Sequence, residues 1–278
     1  IFSKTPISSI KEINNYINIK KCEKLPKIYV CSSAIPNFID TVLPFINYKF
    51  ILVSGDCDED IPNNILSDVD FHKFINNENI IHWFCQNWIG NHKKVTLIPI
   101  GLDYHTLANA KHFWGPKTSS EKQEKQLLKL VNKSKKIPFW KRNIKCYSNF
   151  HFALNTKHSY DRRDAINNIS KNLVIYEKFK TTRLNTWMNQ IKYGFVISPH
   201  GGGYDCHRTW EALVLGCIVI VKTSKLDSLY EDLPVLIVNE WSDVTKELLE
   251  ETVEKFKNMT FNMEKLTLKY WTNKFDSF

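Results

Sequence analysis

Short apolar runs separated by amphipathic segments set the rhythm of this chain. KIYVCS (27–32) and YKFILVSG (48–55) read as strands, and IPNFIDTVLPFI between them spaces its apolar residues as a helix does. IIHWFCQN (80–87) and KVTLIPIG (94–101) are two more apolar runs that end in turn residues. After residue 142 the pattern resumes. IKCYSNF (144–150), NLVIYE (172–177) and PVLIVNE (234–240) are strand-like, DRRDAINNI (161–169) and RLNTWMNQIKYG (183–194) are helix-like, and two amphipathic segments follow near 243–257 and 261–272. Strands that alternate with helices predict parallel sheets covered on both faces.

Two such α/β series in one chain predict two Rossmann-like domains facing a cleft. The expected division is an N-terminal domain over 1–115, a basic linker and helix over 116–142, and a C-terminal domain over 143–260. A last helix, 261–278, is expected to pack back on the first domain. In the linker, Ser119 or Ser120 is a suitable cap for a helix to about Ser134, with Leu127, Leu128 and Val131 on its apolar side.

Composition narrows the classes. The 278 residues are 43% hydrophobic and 24% charged, which suits a globular chain with a sizeable core. No apolar run approaches the roughly 18 residues of a membrane span. The sequence begins at Ile1, so a targeting segment upstream stays open. Seven scattered cysteines (Cys22, Cys31, Cys57, Cys85, Cys146, Cys206 and Cys217) contain no C-x-x-C pair. They read as reduced thiols in a cytoplasm-like compartment (a host cytoplasm if the chain is viral) rather than as a zinc ribbon or disulfide framework. The net charge of +9 implies an anionic partner or merely a soluble surface. The aromatics are not interleaved with the lysines as a stacking surface for nucleic acid requires.

The most informative stretch is FVISPHGGGYDCHRTWEALVLGCIVIV, 195–221. A strand runs into His200, Gly201, Gly202, Gly203 and Tyr204. Asp205 is a good N-cap for a helix over about 206–215, and Gly216 is a good stop. Ligands bind beyond the carboxyl ends of parallel strands, glycines let backbone N–H groups approach or adopt positive φ, and a helix N-terminus attracts phosphate. His207, Arg208 and Thr209 open the helix. Arg208 supplies a charge for a diphosphate, and Glu211, three residues on, can accept from ribose hydroxyls. A glycine-rich turn with an Arg208–Glu211 salt bridge is the alternative.

This block resembles the S-P-x-G-x-G-x-D-x-x-R-x-W-E-A-L-x-x-G-x-I-P-V pattern of exostosin-like glycosyltransferases, including their bacterial, viral and ribitol-xylosyltransferase-like members. It departs from that pattern at Val219, where proline is usual. The likeness extends from about Arg183 to Glu240, with weaker echoes in VSGDCDEDIP, WFCQNW, IPIGLD and YSNF. The resemblance implies a GT-B fold with the sugar nucleotide on the C-terminal domain. It also implies transfer from a nucleotide-diphosphate sugar, UDP by preference, to a hydroxyl on a glycan, polyol or protein. Inverting chemistry without a metal cofactor is expected. Arg208 falls at the diphosphate position and Glu211 at the ribose position.

Other residues carry competing readings. Arg162 and Arg163, at the start of a helix, either reach the donor phosphates or lie on the helix surface. Asp56 and Asp58 form a D-x-D turn after a strand, so one of them is a candidate general base. In a metal-dependent GT-A enzyme the same pair would instead hold the cation. Asp103, Tyr104 and His105 either line an acceptor site or turn into the linker. His200, Cys206 and His207 match no standard zinc spacing. Trp83, Trp88, Trp114 and Trp140 read as core or interface residues. A non-catalytic nucleotide-sugar or glycan-binding module is the other class that fits.

Overall fold

The computed structural model describes residues 25–278, so Cys22 lies outside the described residues. The protein is α/β with two separate parallel sheets. The first contains β1 (Lys27–Cys31), β2 (Phe50–Gly55), β3 (Ile80–Cys85) and β4 (Val95–Leu97), in sequential order. The second contains β5 (Asn143–Ser148), β6 (Val174–Tyr176), β7 (Tyr193–Ile197), β8 (Ile218–Lys222) and β9 (Val235–Val238), in the order β6-β5-β7-β8-β9. The helices are α1 (Ile35–Thr41), α2 (Asp68–Ile75), α3 (His105–Asn109), α4 (Ser120–Ser134) and α5 (Ser159–Asn168). They continue with α6 (Arg183–Gln190), α7 (His207–Val214), α8 (Lys246–Phe256) and α9 (Leu268–Phe275). None of them is long and apolar enough to cross a membrane.

The strands form where apolar runs need burial on both faces. β7 and β8 are buried along nearly their whole length, without the polar alternation of a half-exposed sheet. Two cores result. Val30, Phe38, Phe50, Leu52, Phe74 and Trp83 belong to the first, and Cys146, Phe150, Phe195, Ile197, Ile220 and Trp241 to the second. The six described cysteines are free thiols.

The units do not divide where the apolar pattern suggests. One contains 25–100 together with Gly203–Asp205 and Thr267–Phe278, and the other contains Gly101–Gly202 and Cys206–Leu266. Residues 116–142 are therefore part of the second unit and not a linker. The reason is the amphipathic character of α4, capped by Ser119, which packs against α6 and buries Gln123, Leu127 and Leu130. Its buried stripe is shifted from the expected one, since Leu128 is 51% exposed. The C-terminal α9 groups with the first sheet. Phe275 meets Phe84 at 4.6 Å between ring centroids, and Phe278 stacks on His82 at 4.0 Å. Trp83 and Trp88 are core residues, whereas Trp140 is 43% exposed. Helices α2 and α3 have no counterpart in the sequence reading.

The strand order of the second sheet positions the site. Numbered within that sheet it is 2-1-3-4-5, the doubly wound order in which connections leave β5 and β7 in opposite directions. The crevice beyond the carboxyl ends of those two strands is where such sheets bind ligands.

His82 couples the first sheet to pH. Its Nε2 lies 2.8 Å from Thr96 Oγ1, and burial, with the charge of Lys274 nearby, pushes its pKa down to about 4. The unfolded chain takes up this proton near the ordinary value of about 6.5, but the folded one resists until about pH 4. Stability from this group is therefore complete above pH 6.5 and lost as pH falls through that window. His82→Gln should flatten the fall in melting temperature between pH 6.5 and 4, measured by circular dichroism.

Candidate functional site at the switch point of the second sheet

The loop after β7 begins with Ser198, whose Oγ sits 2.7 Å from Thr209 Oγ1. This hydroxyl pair closes the base of the loop onto α7, so buried Thr209 has a packing role. His200 is fixed at both backbone atoms. Its N–H donates to Asp161 Oδ2 at 2.8 Å, and its carbonyl accepts from Arg162 Nε at 3.0 Å. Asp161 in turn accepts from Trp241 Nε1 at 2.7 Å.

Arg162 is buried and also donates to the Ala153 carbonyl at 2.6 Å. Arg163 donates to Ser159 Oγ at 2.9 Å and to the Leu154 carbonyl at 2.7 Å. Both arginines thus hold the loop that leads into α5. The glycines serve close approach rather than positive φ. A Cβ at Gly201 would come within 2.3 Å of Arg162 Nη2, and one at Gly203 within 2.8 Å of Asn87 Nδ2, while neither glycine has a left-handed φ. Gly216 does, with φ +70°, as a helix stop requires.

The expected cap is corrected by one residue. Cys206, not Asp205, is the N-cap of α7, and its side chain makes no capping hydrogen bond. Asp205 instead accepts the Ile100 N–H at 2.7 Å, and its own N–H donates to Asn87 Oδ1 at 3.0 Å. No side chain of the N-cap closes the first turn of α7, where the Thr209 N–H donates to the Cys206 carbonyl at 2.9 Å. Gly202 and Tyr204 lie partly exposed in the same loop.

Arg208 stands in this first turn. Nη2 donates to the Pro199 carbonyl at 2.9 Å, and the guanidinium lies over the Phe150 ring at 5.5 Å. Pro199 follows β7 and Phe150 follows β5, so Arg208 marks the switch point itself. Its Nε is buried with no hydrogen-bond partner, and no carboxylate among the described residues forms an ion pair with it. Burial pushes its pKa down to about 10, opposed by Cys206 and reinforced by the positive charge of Arg162. A desolvated cation beside a second cation is costly unless an anion arrives.

The Arg208–Glu211 salt bridge of the alternative reading does not form. Glu211 Oε2 accepts from Trp187 Nε1 at 2.8 Å, and Oε1 lies 3.8 Å from Arg183 Nε. Burial raises the pKa of Glu211, and the charge of Arg183 opposes the rise. Arg183, which sequence reasoning did not single out, is the hub of this region. Nη2 donates to Asp103 Oδ2 at 2.7 Å, Nη1 donates to the Asp103 carbonyl and to Gln123 Oε1, and the guanidinium lies 4.9 Å from the Trp114 ring. Asp103 also accepts the Thr106 N–H at 3.0 Å. Burial by itself would raise its pKa, but the Thr106 hydrogen bond and Arg183 outweigh it and hold the carboxyl below its ordinary range.

His207 Nδ1 lies 2.8 Å from the Gly101 carbonyl. Burial lowers its pKa, against the effect of that hydrogen bond and of Asp103. Of the residues considered as a metal set, His200 and Cys206 do not join His207, whereas Asp103 and His105 do. In the first unit, Asp56 and Asp58 are both exposed beyond the end of β2, and Asp56 holds a left-handed φ of 59°. That conformation is one aspartate tolerates in turns.

No protein-family model matches the chain, and no curated protein matches it closely enough to count as a relative.

The energetics of the hub are testable. Replacing Arg183 leaves buried Asp103 without its cation and Glu211 with Trp187 alone. Arg183→Met should destabilise the protein by about 3–5 kcal/mol, the scale of an uncompensated buried charge, in urea denaturation.

Proposed function

We propose that this protein is a glycosyltransferase of the GT-B type, which takes a sugar from a nucleotide-diphosphate sugar, UDP-linked by preference, to a hydroxyl of a glycan, polyol or protein. The observation that carries the reading is the Arg208 guanidinium. Its Nε is buried without a hydrogen-bond partner, it forms no ion pair with a carboxylate among the described residues, and it lies at the switch point beside a helix N-terminus without a side-chain cap. An anion there gains a charge-assisted hydrogen bond, helix N–H donors and the macrodipole together. The resemblance of residues 198–221 to the exostosin-like pattern supplies the sugar nucleotide as the anion's class.

In this reading Arg208 and the α7 N-terminus stabilise the departing diphosphate, where negative charge builds up in the transition state. Glu211 is the ribose acceptor, since Oε1 keeps acceptor capacity at 3.8 Å from Arg183. Arg162 positions the loop and adds to the positive field. Transfer is inverting, with Asp56 or Asp58 as general base. The diphosphate's charge is met by guanidinium and N–H groups, with no cation held on the D-x-D pair.

Two experiments test this. Arg208→Ala should weaken UDP binding in calorimetry by roughly 1.5–3 kcal/mol, with melting temperature little changed. Unaltered affinity would remove the basis of the proposal. Asp56→Asn and Asp58→Asn should leave UDP affinity as it is, while one of them slows transfer. If either weakens UDP binding in a manganese-dependent way, the metal-bridged GT-A alternative is correct.

A further inference from the structure

Next to Arg208 and sharing the first residue of α7, a second cluster has the chemistry of a metal site. Asp103, His105 and His207 each offer one ligand atom, and these atoms all lie within 4.8 Å of one another. Asp103 Oδ1 and His105 Nδ1 are already 3.2 Å apart, and the rings of His105 and His207 are 5.8 Å apart between centroids. A tetrahedral zinc with bonds of about 2.1 Å holds its ligand atoms about 3.4 Å apart. The remaining closure falls to His105, whose side chain is 60% exposed and free to turn.

Two features of the surroundings prepare these side chains. His207 Nδ1 is hydrogen-bonded to the Gly101 carbonyl at 2.8 Å, which places its proton there and leaves Nε2 with the lone pair. Metal-ligating histidines are oriented in this way, by a carbonyl or carboxylate on the far ring nitrogen. Asp103 is also held on its far side, because Arg183 occupies Oδ2 at 2.7 Å and Oδ1 faces His105.

We infer that Asp103, His105 and His207 form a site for a borderline divalent cation, zinc in the first instance. Two imidazoles and one carboxylate are a zinc-type donor set with an open position, whereas magnesium and calcium favour oxygen ligands alone. The cation would clip the Gly101–His105 segment to the first residue of α7. It does not depend on the identity of the nucleotide.

The test is zinc titration of the full chain by calorimetry, with cobalt absorption as a second readout. One zinc per chain is expected, with the visible d–d bands of cobalt in nitrogen and oxygen coordination. His105→Ala, at an exposed position that does not threaten folding, and His207→Gln should each weaken binding at least about tenfold. The double variant His72→Ala/His92→Ala, two histidines that flank Phe71 elsewhere, should leave it unchanged. Absence of zinc binding, binding that survives His105→Ala and His207→Gln, or an intense thiolate-to-cobalt band would each overturn the inference. UDP affinity is not part of this readout, so its outcome is independent of the Arg208 experiment.

Discussion

The second unit is organised around one buried guanidinium. Arg183 lies between Asp103 and Glu211, donates to Gln123, and is flanked by the rings of Trp114 and Trp187. Through it the segment after Gly101, helix α4, helix α6 and helix α7 share one set of polar contacts. Burying such a group brings a large desolvation cost, which only complete pairing offsets. The arrangement is consequently all or none: displacing one member leaves a charge uncompensated in the interior. Glu211 keeps its position in α7 by this means, and Asp103 keeps its orientation toward the two histidines.

Arg208 presents the opposite case. It is less buried than Arg183, its guanidinium donates to the Pro199 carbonyl, and the like charge of Arg162 acts on it more strongly than the carboxylate of Glu211. The fold holds both arginines by backbone carbonyls, with the Phe150 ring against Arg208 in addition, which positions a guanidinium without neutralising it. Asp161, the carboxylate closest in sequence, is engaged by the His200 N–H and the Trp241 indole. A site built in this way keeps its positive charge available, at a cost that the rest of the unit's packing sustains.

Much of this was legible in the sequence. The nine strands among the described residues correspond to apolar runs of the sequence, and the Gly216 stop and the Ser119 cap follow from local backbone chemistry. The strand, loop and helix around 195–216 lie within one stretch of chain, so periodicity and capping residues were enough to place His200, Arg208 and Glu211 at one corner. The apolar pattern misjudged the unit boundary because it registers amphipathicity without identifying the surface an amphipathic face will cover. Helix α4 reads as a charged linker until Leu127 and Leu130 are seen against α6.

What the sequence determined by itself is therefore local: which segments are strands, where helices begin and stop, and which polar residues crowd the loop after β7. Pairing was decided by the tertiary structure. Asp103 and Arg183 are 80 positions apart, as are Asp161 and Trp241. The cap position shows the same limit. Asp205 has the right chemistry to cap α7, yet its carboxylate takes the Ile100 N–H, 105 positions away, and the helix N-terminus remains open. A side chain's type limits the contacts it can make, but which of them it makes depends on the partners that folding brings within about 3 Å, and that distance is a property of the packed chain.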